Sequence, residues 1–237
     1  VSAPKLAVGA WNVLAAAREV DCLHAAWCEE SRAGRLRGAG IEPQIVTADE
    51  LRRRFGAESR GGFVAEVRLP EPQSPEALVA AAIERSRPLV VLEEVQDPQN
   101  LGSILRAAAA LGAVGVIVTR HRSAPWTAAV ARASAGQIFR VPRAEVGGIP
   151  NWLTTLPDDL PTIAAVAEGG CTPDVAALGG ACVLLLGAEG DGLKPLTIKR
   201  AGQAVTIPLA GGVDSLNVAQ AATVLLYEAV RRRGNAV

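Results

Sequence analysis

The sequence predicts an α/β protein: a parallel sheet with flanking helices, preceded by a second and smaller α/β unit. Three observations lead there. From Glu76 onward, short apolar runs alternate with helical patterns, the order that lays strands side by side in parallel. The run Ala181–Leu186 is almost purely Leu and Val, as in a central strand covered on both faces. Leu69–Pro75 (LPEPQSP) crowds three prolines together, which can continue neither a helix nor a central strand. The expected layout is therefore residues 1–70 as one unit, 71–76 as linker and 77–237 as the sheet domain.

In the first unit, Ala10–Glu19 reads as a helix with Val13, Leu14 and Ala17 on one face. Cys22–Trp27 is a strand, Glu29–Arg37 a basic helix and Pro43–Thr47 another strand. Thr47 and Glu50 form a capping box, in which hydroxyl and carboxylate satisfy each other's backbone donors. The helix it opens carries Arg52–Arg54, and Phe63–Val67 is the last strand. With no nucleophile or acid–base pair, the unit reads as a binding module. Its cations cluster (Arg32, Arg35 and Arg37; then Arg52, Arg53, Arg54 and Arg60), as do Arg120, His121 and Arg122 later on. Such groups can hold a phosphate backbone, although solvated surface arginines explain each cluster equally well.

In the second unit, Glu76–Arg85 is a helix and Pro88–Val95 an apolar strand. Asn100 caps the helix Leu101–Leu111, which stops at Gly112, and Val114–Thr119 completes a βαβ unit. Thr127–Ala135 is helical and Ile138–Val141 a third strand, while Gly147–Asp159 fits no single pattern. Pro161–Val166 and Ala181–Leu186 follow as strands, then a short helix from Leu193, strand Ala204–Ile207 and a helix from Ser215 to Arg233.

Composition narrows the class. Apolar residues make up 49% and charged ones 20% of the 237, enough for a sizeable core, and no apolar run approaches a membrane span. Lys+Arg and Asp+Glu balance at 24 each, so global charge neither favours nor excludes nucleic acid. The start VSAPKLAVGAW lacks the layout of a signal peptide, so a cytoplasmic protein is expected. Cys22, Cys28, Cys171 and Cys182 lack metal-ligand spacing and read as reduced thiols, and no metal is expected.

Three stretches follow apolar strands and so should meet at one edge of the sheet, where open α/β sheets bind ligands. They are Asp97–Arg106 (DPQNLGSILR), Gly187–Leu193 (GAEGDGL) and Ile207–Asn217 (IPLAGGVDSLN). In the first, Leu101, Ile104, Leu105 and Ala108 form the buried face, and Arg106 falls between them. In the second, glycines directly after a buried strand permit a sharp turn and close approach to a ligand. In the third, Asp214, Ser215 and Asn217 open an apolar helix. Each also has a plain structural reading: a surface arginine, a tight turn, a helix cap. Together they support a small polar or nucleotide-like ligand at that edge.

DPQNLGSILRAA, LLLGAEGDGL and IPLAGGVDSLNVAQAA, in that order, resemble the three motifs of the SpoU/TrmH family of RNA ribose 2′-O-methyltransferases. The likeness covers about Pro88 to Arg233, and HRSAPWTAAVARASAGQIFRVP is similar to the subgroup acting on a guanosine of 23S ribosomal RNA. The first unit more loosely resembles that subgroup's ribosomal-protein L30e-like substrate-binding domain. The resemblance implies a Rossmann-like catalytic domain with a C-terminal trefoil knot, a homodimer, and S-adenosylmethionine as cofactor. It implies that Val166, Ala167, Leu186, Gly187, Ala188, Glu189, Gly190, Ile207, Pro208, Leu209, Ser215, Leu216 and Asn217 hold the cofactor. Arg106, Asn100, Glu189, Ser215 and Asn217 match active-site positions, and Arg32, Arg35, Arg53, Arg60 and Arg122 are candidates for RNA contact. The chain departs from the family at Ala219, where serine is frequent, at Leu209, where methionine is common, and at Arg60-Gly61, which replaces a His-Gln pair. The last falls in the substrate-binding unit and bears on which RNA is bound.

The leading reading is methylation of a 23S rRNA guanosine, with a tRNA nucleotide as an alternative within the class. A ribosome-directed resistance methylase fits less well, since its other substrate features are missing. A non-catalytic RNA-binding protein would not need the cofactor edge. A nucleotide-dependent dehydrogenase would need a glycine fingerprint and an acidic residue where Thr119 stands.

Overall fold

The computed structural model describes residues 5–210 and 212–234. Two compact units are present. One comprises the described residues through Glu71 together with Trp126–Arg140; the other comprises Pro72–Pro125 and the described residues from Val141 onward.

The first unit is a four-stranded sheet with helices. Strands β1 (Lys5–Val8), β2 (Leu23–Cys28), β3 (Gln44–Ile45) and β4 (Phe63–Arg68) lie in the order β1-β4-β2-β3. β4 runs antiparallel to both β1 and β2, and β2 pairs in parallel with β3. Helix α1 (Trp11–Glu19) buries Val13, Leu14, Ala16 and Ala17. α2 (Glu30–Gly38) and α3 (Ala48–Phe55) follow β2 and β3. Trp27, Leu51 and Val64 form a core cluster against which Phe55 packs. At the start of α3 the Thr47 hydroxyl accepts from the Glu50 N–H, but the Glu50 carboxylate lies 3.6 Å from Arg54 instead of completing the capping box.

The sequence placed Thr127–Ala135 in the sheet domain and made Ile138–Val141 a strand. Neither holds. α6 (Ala128–Ala133) belongs to the first unit, packing on α1 and β1, and Arg132 and Arg140 pair with Glu58 and Glu19. Gln137–Phe139 is a 3₁₀ turn, and the strand comes later, at β7 (Arg143–Val146). Ile138 and Phe139 are buried all the same, so an apolar run read as a strand is buried by tertiary contact instead.

The second unit is a six-stranded sheet in the order β10-β8-β9-β5-β6-β7, parallel throughout. Its remaining strands are β5 (Pro88–Leu92), β6 (Val116–Thr119), β8 (Thr162–Ala165), β9 (Cys182–Leu186) and β10 (Gln203–Val205). β5 and β9 are buried at every residue and pair at the middle of the sheet, which explains their unbroken apolar sequences. Helices α4 (Pro75–Arg85), α5 (Pro98–Leu111), α7 (Ile149–Leu153), α8 (Pro195–Arg200) and α9 (Val218–Arg232) complete the unit, with α9 packed along α5. Among the described residues, no helix is long and apolar enough to cross a membrane and no His/Cys/Asp/Glu group could hold a metal ion. Among the described residues, Cys28 and Cys182 are buried and Cys171 is partly buried, and none of the three is in a disulfide.

Candidate active site

Because the sheet is parallel, the chain leaves β5, β8, β9 and β10 at one edge, where the three motif stretches meet. α5 starts earlier than its apolar pattern indicates. Asp97 is the cap, its Oδ1 accepting from the Gln99 N–H at 2.8 Å, with Pro98 in the first turn. Asn100, expected to cap, therefore sits inside that first turn, and its side chain is free to point elsewhere. α9 starts later than expected, at Val218 rather than Ser215, and Asn217 is its cap, with Oδ1 accepting from the Ala219 N–H at 2.9 Å.

Those two shifts bring three residues from distant parts of the chain together. Asn100 Nδ2 donates to Glu189 Oε1 at 2.6 Å, and Asn217 Nδ2 donates to the same oxygen at 2.6 Å. Asn217 Nδ2 also lies 3.0 Å from Asn100 Oδ1. Both amide orientations are set by this network, since Asn217 Oδ1 already serves as cap and Asn100 Oδ1 faces a donor. The carboxylate is met by amide donors alone, a charge-assisted arrangement stronger than neutral pairs. Asn100 is 6% exposed, so its amide needs these partners.

Glu189 belongs to a tight loop between β9 and α8. Ala188 and Gly192 exchange two backbone hydrogen bonds, and Gly190 and Gly192 take positive φ values of 84° and 67°. At Gly187 a Cβ would come within 2.0 Å of the Gly192 carbonyl carbon, so only glycine permits the loop to fold back on its own start.

Beside this network lies a cavity of about 450 Å³, a size typical of small-molecule sites. Of the residues assigned to the cofactor from sequence, all line it except Pro208. Pro208 is absent from the wall although both its neighbours Ile207 and Leu209 are there, so the chain turns it outward. Residues the sequence reading missed include Ala165, Asp191, Leu193, Ile198, Asp214 and Val218. Asp214 stood within a motif already singled out; Ala165 and Ile198 carry no signal beyond being apolar. Apolar walls (Leu186, Ile207, Leu216, Val218) combine with the carboxylates of Glu189, Asp191 and Asp214, and among the described residues no Lys or Arg lines the cavity.

Arg106 is exposed on α5 and does not belong to the cavity wall. The remaining arginines are dispersed. Arg32, Arg35, Arg53 and Arg60 are exposed in the first unit, with the Arg35 guanidinium 3.9 Å above the Trp11 ring. Arg122, in the second unit, lies 3.2 Å from Glu94.

The family model described as the SpoU rRNA Methylase family matches residues 87–227. The chain belongs to the SpoU rRNA methylase family. It is 34% identical over 201 residues to the 23S rRNA (guanosine-2′-O-)-methyltransferase RlmB of Vibrio vulnificus, covering 84% of this chain and 81% of the relative. It is also 34% identical to RlmB of Haemophilus influenzae, covering 84% and 82%. Among solved structures, the SpoU methyltransferase AviRb from Streptomyces viridochromogenes in complex with AdoMet is similar at 26% identity and a TM-score of 0.79. It covers 98% of this chain and 92% of that one.

Proposed function

We propose that this SpoU protein transfers the methyl group of S-adenosylmethionine to a ribose 2′-OH of RNA, with a guanosine of 23S rRNA as target. The observation that carries this reading is the Asn100–Glu189–Asn217 network beside an acidic, apolar-walled cavity. The walls suit S-adenosylmethionine: Leu186, Ile207 and Leu216 offer apolar surface to an adenine, and carboxylates without a competing cation favour a positively charged sulfonium and ammonium. When bound, the cofactor supplies an electrophilic methyl group.

The residues of this chain then position the other reactant. Asn100 and Asn217 orient the Glu189 carboxylate, while Ser215 shapes the mouth of the cavity. The Arg106 guanidinium offers N–H donors and no acceptor, so it does not take the hydroxyl proton, which passes to solvent as the methyl group is transferred. Exposed on α5, it binds the phosphate beside the target ribose and stabilises negative charge developing on the 2′-oxygen. Positioning of this kind supplies much of the acceleration in such a transfer. Arg32, Arg35, Arg53, Arg60 and Arg122 hold RNA backbone, with the first unit acting as an L30e-like binding module. The run of the chain from β10 to an α9 packed on α5, with its cap Asn217 bonded to Glu189, supports a C-terminal trefoil knot. Exposed Val224 and Tyr227 on α9, 39% and 59% accessible, support a homodimer through that helix. A ribosomal target implies work in the cytoplasm.

Mapping ribose methylation in 23S rRNA and tRNA with and without the gene tests the reading. One 23S guanosine should lose its methyl group. A lost mark in tRNA alone would move the substrate to the tRNA alternative, and no lost mark in either would remove the proposal. Replacing Arg106 with Lys should lower turnover at least ~10-fold, since a point charge lacks the planar fork that grips phosphate.

A further inference from the structure

We infer that Glu93 is a positioning residue that staples both ends of the Gly187–Leu193 loop and so sets its shape for the cofactor. The inference rests on the proposal that this loop binds S-adenosylmethionine.

Glu93 follows β5 directly and is only 2% exposed. Its backbone N–H donates to the Leu186 carbonyl at 2.8 Å, extending the β5–β9 ladder to the last residue before the loop. Its side chain reaches the other end. Oε2 accepts from the Lys194 N–H at 2.8 Å, the first residue after the loop, and Oε1 accepts from the Thr197 hydroxyl at 2.7 Å. Thr197 is fully buried. One residue thus holds the chain where it enters and where it leaves the loop, and a buried carboxylate without such partners would be costly.

The next residue reinforces the hold. Glu94 takes a positive φ of 58°, a conformation costly for a residue with a side chain, and its carboxylate pairs with the Lys194 ammonium. Its N–H donates to Thr119 Oγ1 at 3.3 Å, which anchors the turn to β6. Inside the staple, Ala188 and Gly192 bond each other across the loop through their backbones. The loop's internal shape is therefore fixed locally, while its placement against β5 depends on Glu93. Glu93 lines no part of the cavity, which separates its role from that of Glu189.

The test is S-adenosylmethionine binding by calorimetry to full-length protein, with melting temperature and amide hydrogen exchange of residues 187–194. Glu93→Ala should weaken binding about 10- to 100-fold, the effect of losing hydrogen bonds to a charged group, and should speed exchange at the Lys194 amide. Glu93→Gln can accept from the Lys194 N–H and donate to Thr197 Oγ1, so it should bind within about threefold of wild type. Should the alanine variant not fold, Thr197→Val carries the same test with a smaller expected loss, about threefold or more. Wild-type affinity together with wild-type exchange in the folded variants would overturn the staple, as would a glutamine variant as weak as alanine. Failure of the wild-type protein to bind the cofactor would instead defeat the proposed function.

Discussion

The amide of Asn217 divides its two ends between α9, which its oxygen caps, and Glu189, which its nitrogen meets. Asn217→Asp separates those tasks. A carboxylate remains a good cap, but it removes the donor and faces Glu189 with like charge. The melting temperature should change little while kcat/KM falls ~10- to 100-fold, the scale of one hydrogen bond to a charged group. An activity loss matched by an equal loss of stability would show that only the cap matters. Cysteine chemistry separates in the same way. Burial pushes the Cys182 thiol up to about 12 and also raises that of Cys28. Iodoacetamide at pH 8 should therefore reach Cys28 and Cys182 only after denaturation; labelling of either in the native protein would show that burial does not protect it.

Among the elements, the β9–α8 loop leaves no room for a side chain at Gly187. Gly187→Ala forces a Cβ against the Gly192 backbone, an overpacking that typically costs ~1–3 kcal/mol and cannot be relieved by a side-chain rotation. Cofactor affinity should fall with it, measured by calorimetry; unchanged affinity would mean the loop can open at Gly192. The cap of α3 offers a contrasting case. Thr47 alone serves the Glu50 N–H, so Thr47→Ala should cost ~1 kcal/mol in denaturant melts and leave cofactor binding untouched.

For the whole molecule, the exposed face of α9 carries the prediction about association. Val224 and Tyr227, three residues apart on one helix, form a stripe that the described chain leaves exposed. Val224→Asp with Tyr227→Asp should shift the protein from dimer to monomer in sedimentation without unfolding it. A wild-type chain that is already monomeric would remove the homodimer reading. The arginines carry less information about geometry. Charge clusters identify themselves in a sequence, yet Arg132 and Arg140 turn out to pair with Glu58 and Glu19, partners far away in the chain.

What the residues alone determined was the parallel sheet and the edge at which its cavity opens. Continuous apolar runs at β5 and β9, alternating with helical patterns, read as strands buried on both faces, and in a parallel sheet the Gly-rich and Asn-bearing stretches after them emerge at one edge. Most of the residues that the family motifs singled out for a cofactor line one cavity, though other wall residues such as Ala165, Val205 and Ile198 lie outside those motifs. Tertiary structure alone decided the rest. Asn100 looked like a helix cap until Asp97 took that place, and its hydrogen bond to Glu189 spans most of the sheet domain's sequence. Trp126–Arg140 looked like part of the sheet domain until its helix found α1 and β1. Glu93 looked like the polar end of a strand. Local pattern reports which face of a segment is buried, through periodicity and caps; which distant segment it is buried against depends on contacts that leave no periodic trace.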